Sequence, residues 1–420
     1  MSPSLRQIPV LDAPIDISVR PPGSKSETIR ALAIAALAPG RSHLYSPLEA
    51  DDTLAMAGAL EAMGVEIGTD GDPWTIDGGG GHLEAGATLD ACESGLSARI
   101  LVAMAASAPG TTRIAGRGRL PERPMTGIVD ALRSQGVEID GDHIPLEVSG
   151  HGNLWGGYLS VDCSESSQFA TALMLVAPLM EKPCVLELRD LRGSAGYLEG
   201  TVSVMRRFGA TIEPTVTGYE IANTGYRPAD LIVEPDASAA VYPMAIAAIT
   251  GGRAAIEGLG SASWQPDIGV ARVLEEMGCR LDEEETKTVI DARDVRLTGV
   301  DVDMSDAPDG ALAMAVVALF ADSPTRIRGL GWLRHKESDR LESISSEMRG
   351  LGGDVEVVKD GLLISPSPLH GNVVDPHGDH RIAMSMACVG TRIGGVAVVS
   401  PQVVNKTWPG FWEFLDLLAA

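Results

Sequence analysis

Residues 24–38, SKSETIRALAIAALA, pass from a polar turn straight into an apolar helix, and residues 41–47, RSHLYSP, follow as a strand. The same succession returns along the whole chain. Helices read ILVAMAA (100–106), ATALMLVAPL (170–179), YPMAIAAI (242–249), ALAMAVVALF (311–320) and RIAMSMACVG (381–390). Strands after them read TTRIAG, PCVLELRDL, RAAIEGL, PTRIRGL and GVAVVSP. In register, one position falls at Ser26, Ser97, Ser167, Ser238, Asp309 and His380, a period of roughly 71 residues that marks a repeat architecture. A second junction repeats as ALEAMGVEI, ALRSQGVEI, VMRRFGATI, VLEEMGCRL and EMRGLGGDV, with Gly64, Gly136, Gly209, Gly278 and Gly352 placed for left-handed helix ends.

Each repeat thus predicts a buried helix, a strand, an amphipathic helix and one or two more strands, an α/β (α+β) pattern. With 420 residues, two domains of three repeats are expected. The N-terminal strand PIDISV precedes the first repeat, while the last repeat ends in the helix GFWEFLDLLAA. The simplest closure places one domain at 23–235 and the other at 1–22 plus 236–420, with a hinge near Pro21-Pro22 and Glu234-Pro235. The run Gly78–Gly81 reads as a surface turn, since no buried helix follows it.

The formal net charge of −24 excludes nucleic acid and anionic membrane as expected partners, because both need a basic footprint. The five cysteines show no metal-type spacing and no secretory leader precedes them, which predicts reduced thiols in the cytoplasm. No stretch is long and apolar enough for a membrane span.

The turns before the apolar helices read PGSKSETIR, CESGLSAR, CSESSQFA, EPDASAAV, SDAPDGAL and HGDHRIAM. Their Ser and Asp residues suit helix capping, with the four aligned serines as the default polar caps of the repeat, and helix N-termini also attract anions. Capping leaves the cations unexplained. Lys25, Arg30, Arg99, Arg123, Lys336, Arg340, Arg381 and Lys406 gather at or near these helix starts in an acidic chain. They predict a site for ligands with several negative groups, Arg clamping oxyanions and Lys acting as a point charge. Among the accompanying acids, Glu93 and Asp379 read as counter-ions. Asp309 replaces a serine of the repeat and reads as functional.

The motifs PGSKSETIRALAIAALA, GRLPERPMTGIVDAL, VDCSESSQFATAL, HKESDRL, GDHRIAMSMA and NKTWPGFW resemble those of the 5-enolpyruvylshikimate-3-phosphate synthases, in order and over essentially the whole chain. The resemblance implies the inside-out α/β barrel of the enolpyruvyl transferases, two globular domains each of three βαβαββ units. It also implies transfer of the enolpyruvyl group of phosphoenolpyruvate to the 5-hydroxyl of shikimate 3-phosphate, with release of phosphate and no cofactor or metal. Shikimate 3-phosphate would be held by Lys25, Ser26, Arg30, Ser166, Ser167, Gln168, Ser194, Asp309 and Lys336. Phosphoenolpyruvate would be held by Lys25, Gly95, Arg123, Gln168, Arg340, Arg381 and Lys406. Asp309 would accept the hydroxyl proton and Glu337 would donate one, with Lys25 and Lys406 able to share these roles. The enzyme is expected to be a monomer that closes on its substrates.

Two departures stand out. Glu93 replaces the family's usual Asn in the second turn, and Ile29 stands where Asn often precedes the Arg. The alternatives are the sister transferase acting on UDP-N-acetylglucosamine and a binding or RNA-end-processing relative. The first carries a reactive Cys where this chain has GRGRLPERP. The charge and the retained Asp309, Glu337 and Lys406 oppose the second.

Overall fold

Apolar side chains all round a helix leave it no face for water, and the six repeat helices obey that rule. They span Lys25–Leu37, Gly95–Ala106, Gln168–Val176, Ala237–Thr250, Ala311–Ala318 and His380–Gly390, here called the first to sixth core helices. Every residue of the second, fifth and sixth is buried. The structure is a computed structural model that describes residues 4–191, 193 and 195–420.

The chain divides into two units, Gly23–Glu234 and Met1–Pro22 with Pro235–Ala420. In each, three core helices pack on one another and supply the middle of a separate hydrophobic core. Short Ala-rich surfaces, such as Ala33, Ala35 and Ala36, let the backbones approach closely. Amphipathic helices, for example Thr126–Ser134 and Ala195–Arg207, bury one face against this centre and leave charges outside. At the end of each such helix the chain turns into a strand through Gly64, Gly136, Gly209, Gly278 or Gly352, at φ of 85°, 84°, 83°, 109° and 89°. That conformation is cheap only for glycine.

Among the described residues, five sheets have four strands in one repeated order: a parallel pair, then two antiparallel partners. In the Gly23–Glu234 unit the strand Asp230–Ile232 returns to lie parallel to Pro39–Tyr45, closing the first repeat with the unit's last strand. The other unit closes from the opposite end of the chain. Asp16–Val19 lies parallel to Arg253–Glu257, and Leu5–Gln7 pairs with Ala397–Val399 in a three-stranded sheet that ends the shortened sixth repeat. An aromatic cluster of Tyr242, Trp408, Phe411, Trp412 and Phe414, with centroids 5.1–5.8 Å apart in its closest pairs, anchors the segment carrying Lys406.

Two expectations are corrected. The aligned serines do not supply the capping bonds; Ser167 occupies a cap position, but its side chain makes no capping bond. Ser24, Ser94, Asp236 and Asp379 accept the N–H bonds that cap four core helices, while Ser26, Ser97, Ser238 and His380 lie inside the first turns. Asp309 lies just before Gly310, which opens the fifth core helix. The period of the repeat runs one to three residues out of register with the hydrogen-bonding cap. The glycine run also differs from a simple turn: Gly78 and Gly79 end the strand Trp74–Gly79, and only Gly80 and Gly81 turn, at φ of 64° and 92°. Gly78 faces the end of the first core helix, where a Cβ would stand 2.1 Å from the Ala35 carbonyl.

Candidate active site

Four of the six turns are built by an Asp at or just after a strand end. Asp90, Asp162, Asp303 and Asp375 accept the N–H of Cys92, Ser164, Ser305 and His377 at 2.8, 2.8, 2.9 and 2.8 Å. Such Asx turns aim the following core helix by local chemistry alone. Their signature is local, the recurring Asp in LDACES, VDCSES, VDMSDA and VDPHGD.

In the Gly23–Glu234 unit, Lys25 opens the first core helix and pairs with Asp52 at 3.0 Å. Arg30, 1% exposed, donates to Thr201 Oγ1 at 2.8 Å, the Ser26 carbonyl at 2.9 Å and the Tyr197 carbonyl at 3.3 Å. Burial pushes its guanidinium down to about 10, which keeps it charged at neutral pH. Its donors are thus turned to protein partners, and it holds the Ser26 turn from beneath. Ser166 Oγ accepts the Gln168 N–H at 3.3 Å at the start of the third core helix. Ser167 is 5% exposed, and Ser194 lies outside the described residues.

Arg99 joins the remaining groups of this unit. From the buried second core helix it donates to Gln168 Oε1 at 2.6 Å, the Pro124 carbonyl at 2.9 Å and the Gly95 carbonyl at 3.3 Å. Its guanidinium stands 5.0 Å from the Phe169 ring centroid. It therefore sets the placement of Gln168, Gly95 and the Arg123 loop at once. The sequence marked Arg99 as a cation in an apolar helix without giving it this role. Arg123 is folded against the start of that helix, since a Cβ on Gly95 would lie 2.5 Å from its Cζ. Glu93, in the same turn, packs its carboxyl against Gly118.

In the other unit a second cluster forms around Arg340, 1% exposed at the start of the helix Arg340–Gly350. Its guanidinium donates to Asp379 Oδ2 at 2.7 Å, Asp309 Oδ1 at 2.8 Å and Glu337 Oε2 at 2.8 Å. Arg381 grips the other oxygen of Asp309 at 2.9 Å, and Lys406 Nζ stands 3.6 Å from Glu337 Oε1. Lys336 Nζ lies 5.7 Å from the Trp332 ring centroid. Burial by itself would raise the Asp309 carboxyl, but Arg381, Lys336 and Arg340 outweigh it and hold the group far below the usual carboxylate range. Asp309 is ionised. Against the opposing effect of burial, the carboxylates of Asp379, Glu337 and Asp309 hold the Arg340 guanidinium above its ordinary value, and Asp309 does the same for Arg381. Asp379 is fully buried, binds Arg340 and caps the Arg381 N–H at 2.9 Å, the work of a counter-ion.

One organiser of this cluster escaped the sequence reading. Asp267, 1% exposed, accepts the Gly310 N–H at 3.0 Å on one oxygen and the Ser238 hydroxyl on the other. It joins the fourth turn of the repeat to the backbone next to Asp309. Nothing in SASWQPDIGV marks that Asp as different from a surface acid.

The family model of EPSP synthase (3-phosphoshikimate 1-carboxyvinyltransferase) matches residues 12–415. The chain belongs to the EPSP synthase family. Similar relatives include the 3-phosphoshikimate 1-carboxyvinyltransferase of Methanoculleus marisnigri, 40% identical over 412 residues and 96% of each chain. That of Pseudoalteromonas translucida is 37% identical over 95% of this chain and 96% of the relative. Among solved structures, EPSP synthase from Acinetobacter baumannii superposes with a TM-score of 0.82 at 27% identity, covering 99% of this chain and 98% of that one. The enolpyruvyl transferase NikO of Streptomyces tendae, at 18% identity and a TM-score of 0.79, shares the fold. This chain is thus a two-unit α/β protein of repeated helix and strand pieces, with the fold of these solved structures.

Proposed function

We infer that this chain is a 3-phosphoshikimate 1-carboxyvinyltransferase: it moves the enolpyruvyl group of phosphoenolpyruvate to the 5-hydroxyl of shikimate 3-phosphate and releases phosphate, on the route to aromatic amino acids. The observation that carries the chemical reading is Asp309, ionised and held between Arg340 and Arg381. Lys25, Ser26, Ser166, Ser167 and Gln168 are assigned to shikimate 3-phosphate, with Asp309 and Lys336 on its ring hydroxyls. Arg30 serves the same site through the Ser26 carbonyl and its charge. Phosphoenolpyruvate is assigned to Lys25, Gly95, Arg123, Gln168, Arg340, Arg381 and Lys406, where guanidiniums suit a phosphate and a carboxylate.

The reaction needs one proton delivered and one removed at carbon. Protonation of the methylene carbon of phosphoenolpyruvate leaves positive charge at C2. The 5-hydroxyl oxygen bonds to C2 while its proton passes to a base, giving a tetrahedral intermediate. Loss of a methyl proton with cleavage of the C2–phosphate oxygen bond then forms the vinyl ether and free phosphate. We assign Asp309 to the hydroxyl proton and Glu337, adjoining Lys406, to the carbon proton, with Lys25 and Lys406 as partners in transfer. A carboxylate held so low is a weak base while Arg340 and Arg381 face it alone. Substrate phosphate and carboxylate groups neutralise those cations and restore its basicity.

The test is phosphate release from the purified protein given shikimate 3-phosphate and phosphoenolpyruvate. Activity only when a UDP-sugar replaces shikimate 3-phosphate would overturn the reading. We further propose a cytoplasmic monomer. Free cysteines, four of the five buried, support a reducing compartment, and light scattering reads the mass.

A further inference from the structure

The first core helix begins with an unusual form of capping box. Ser24 caps it, its Oγ accepting the Glu27 N–H at 3.4 Å. In an ordinary box the glutamate at this third position returns the bond to the cap's own N–H. Here a residue from far along the chain is inserted between them. The Ser24 N–H donates to the Glu234 carbonyl at 2.8 Å, and the Glu234 N–H donates to Glu27 Oε2 at 2.7 Å. Arg207, on the last turn of the helix Ala195–Arg207, reaches the other oxygen of Glu27 at 3.4 Å. Glu27 is 1% exposed and immediately follows Ser26, whose carbonyl Arg30 holds at 2.9 Å.

We propose that Glu27 is a positioning residue for shikimate 3-phosphate, whose carboxyl group holds the Lys25–Ser26 turn and whose protonation state sets the affinity of that turn for an anion. Neutral Glu27 still accepts the Glu234 N–H through its carbonyl oxygen, so the turn keeps its shape. Ionised Glu27 keeps that bond and adds a negative charge directly behind the residues assigned to the phosphate. The charged groups facing it are Arg207 from the Ala195–Arg207 helix, Glu234 from the closing segment and Arg30 from its own helix. Burial pushes the Glu27 carboxyl up to about 7, with the charge of Glu234 adding to it against the Glu234 N–H, Arg207 and Arg30. The change of charge therefore falls at neutral pH. The proposal rests on the assignment of Lys25, Ser26 and Arg30 to shikimate 3-phosphate.

The experiment is the KM for shikimate 3-phosphate, at saturating phosphoenolpyruvate, from pH 6 to 8.5 in the wild type, Glu27→Gln, Arg207→Gln and Ser26→Ala. Titration of the substrate phosphate is common to all four proteins and cancels in ratios. The ratio of wild-type KM to Glu27→Gln KM should rise about threefold to tenfold across this range, the size of a unit charge acting over several ångströms in a partly solvated site. Arg207→Gln, altered at a half-exposed side chain, should move that rise to higher pH, because it removes a cation that favours the ionised form. A merely structural Glu27 would give a ratio independent of pH, and that result overturns the proposal. Ser26→Ala separates the two levels of the reading. A raised KM there with a flat Glu27 ratio overturns the role of Glu27 alone. An unchanged KM in Ser26→Ala overturns the binding assignment and the proposal with it.

Discussion

The two units build one repeat into opposite electrostatics. Around Arg30 and Arg99 the buried cations are bonded mainly to neutral oxygens: carbonyls of residues 26, 95, 124 and 197, a threonine hydroxyl and the Gln168 amide. Around Arg340 they are bonded to carboxylates, with Asp309, Glu337 and Asp379 on a single guanidinium. Neutral partners leave a cation's field largely intact for an incoming anion. Carboxylate partners cancel much of it but create groups able to carry protons. The difference teaches that a cation's partners, more than its presence, decide how much of its charge is left for a ligand.

Substituting the two central arginines breaks the comparison most strongly. Arg340→Met removes the guanidinium that binds Asp379, Asp309 and Glu337 together, leaving Arg381 on Asp309, so it should cost about 3–5 kcal/mol of stability and abolish turnover. Arg30→Met leaves only neutral acceptors unpaired and should cost about 1–3 kcal/mol. Urea unfolding of the two variants reads the difference, and equal losses would erase the distinction drawn here. Next in size is Asp309→Ala, expected to lower kcat by about 10²- to 10⁴-fold while shikimate 3-phosphate binding, followed by calorimetry, stays within a few fold. A kcat within a few fold of wild type would return Asp309 to the role of counter-ion.

A smaller effect belongs to the cluster around Arg99. Gly95→Ala places a methyl group against the Arg123 guanidinium, which must swing away. The KM for phosphoenolpyruvate should rise by about tenfold with little change in that for shikimate 3-phosphate, the cost of one weakened charge-assisted bond. The smallest concerns Glu27. Its folded value of about 7 lies above the ordinary 4.5, so the folded state binds the proton more tightly than the unfolded chain. The stability this contributes is complete below about pH 4.5 and is lost as pH rises through 7. Glu27→Gln should therefore gain on the wild type by about 1–2 kcal/mol between pH 5 and 8 in thermal unfolding.

Much of the architecture was readable because its causes are local. The glycines at 64, 136, 209, 278 and 352 each sit where an amphipathic pattern stops, and each adopts positive φ. The apolar helices announced their burial by having no polar face. The cap positions were misplaced because Ser24 and Ser26, or Ser94 and Ser97, are equally good capping residues on composition. Only the direction of the chain entering the helix selects one. The Asp at four of the strand ends was a missed local signal. Asp267 and Arg207 offered no signal of that kind.

The sequence by itself determined the sixfold period, the alternation of buried and amphipathic helices, the turn chemistry and the family, since all of these are written in neighbouring residues or in motifs held together by the chain. Tertiary structure alone decided which partner each buried charge obtained. Glu27 meets Arg207 across 180 residues, and Asp267 meets Gly310 across 43. Those partners set the charge that Asp309 and Glu27 carry. Electrostatic energy depends on distance and burial in space, and neither is a property of separation along the chain.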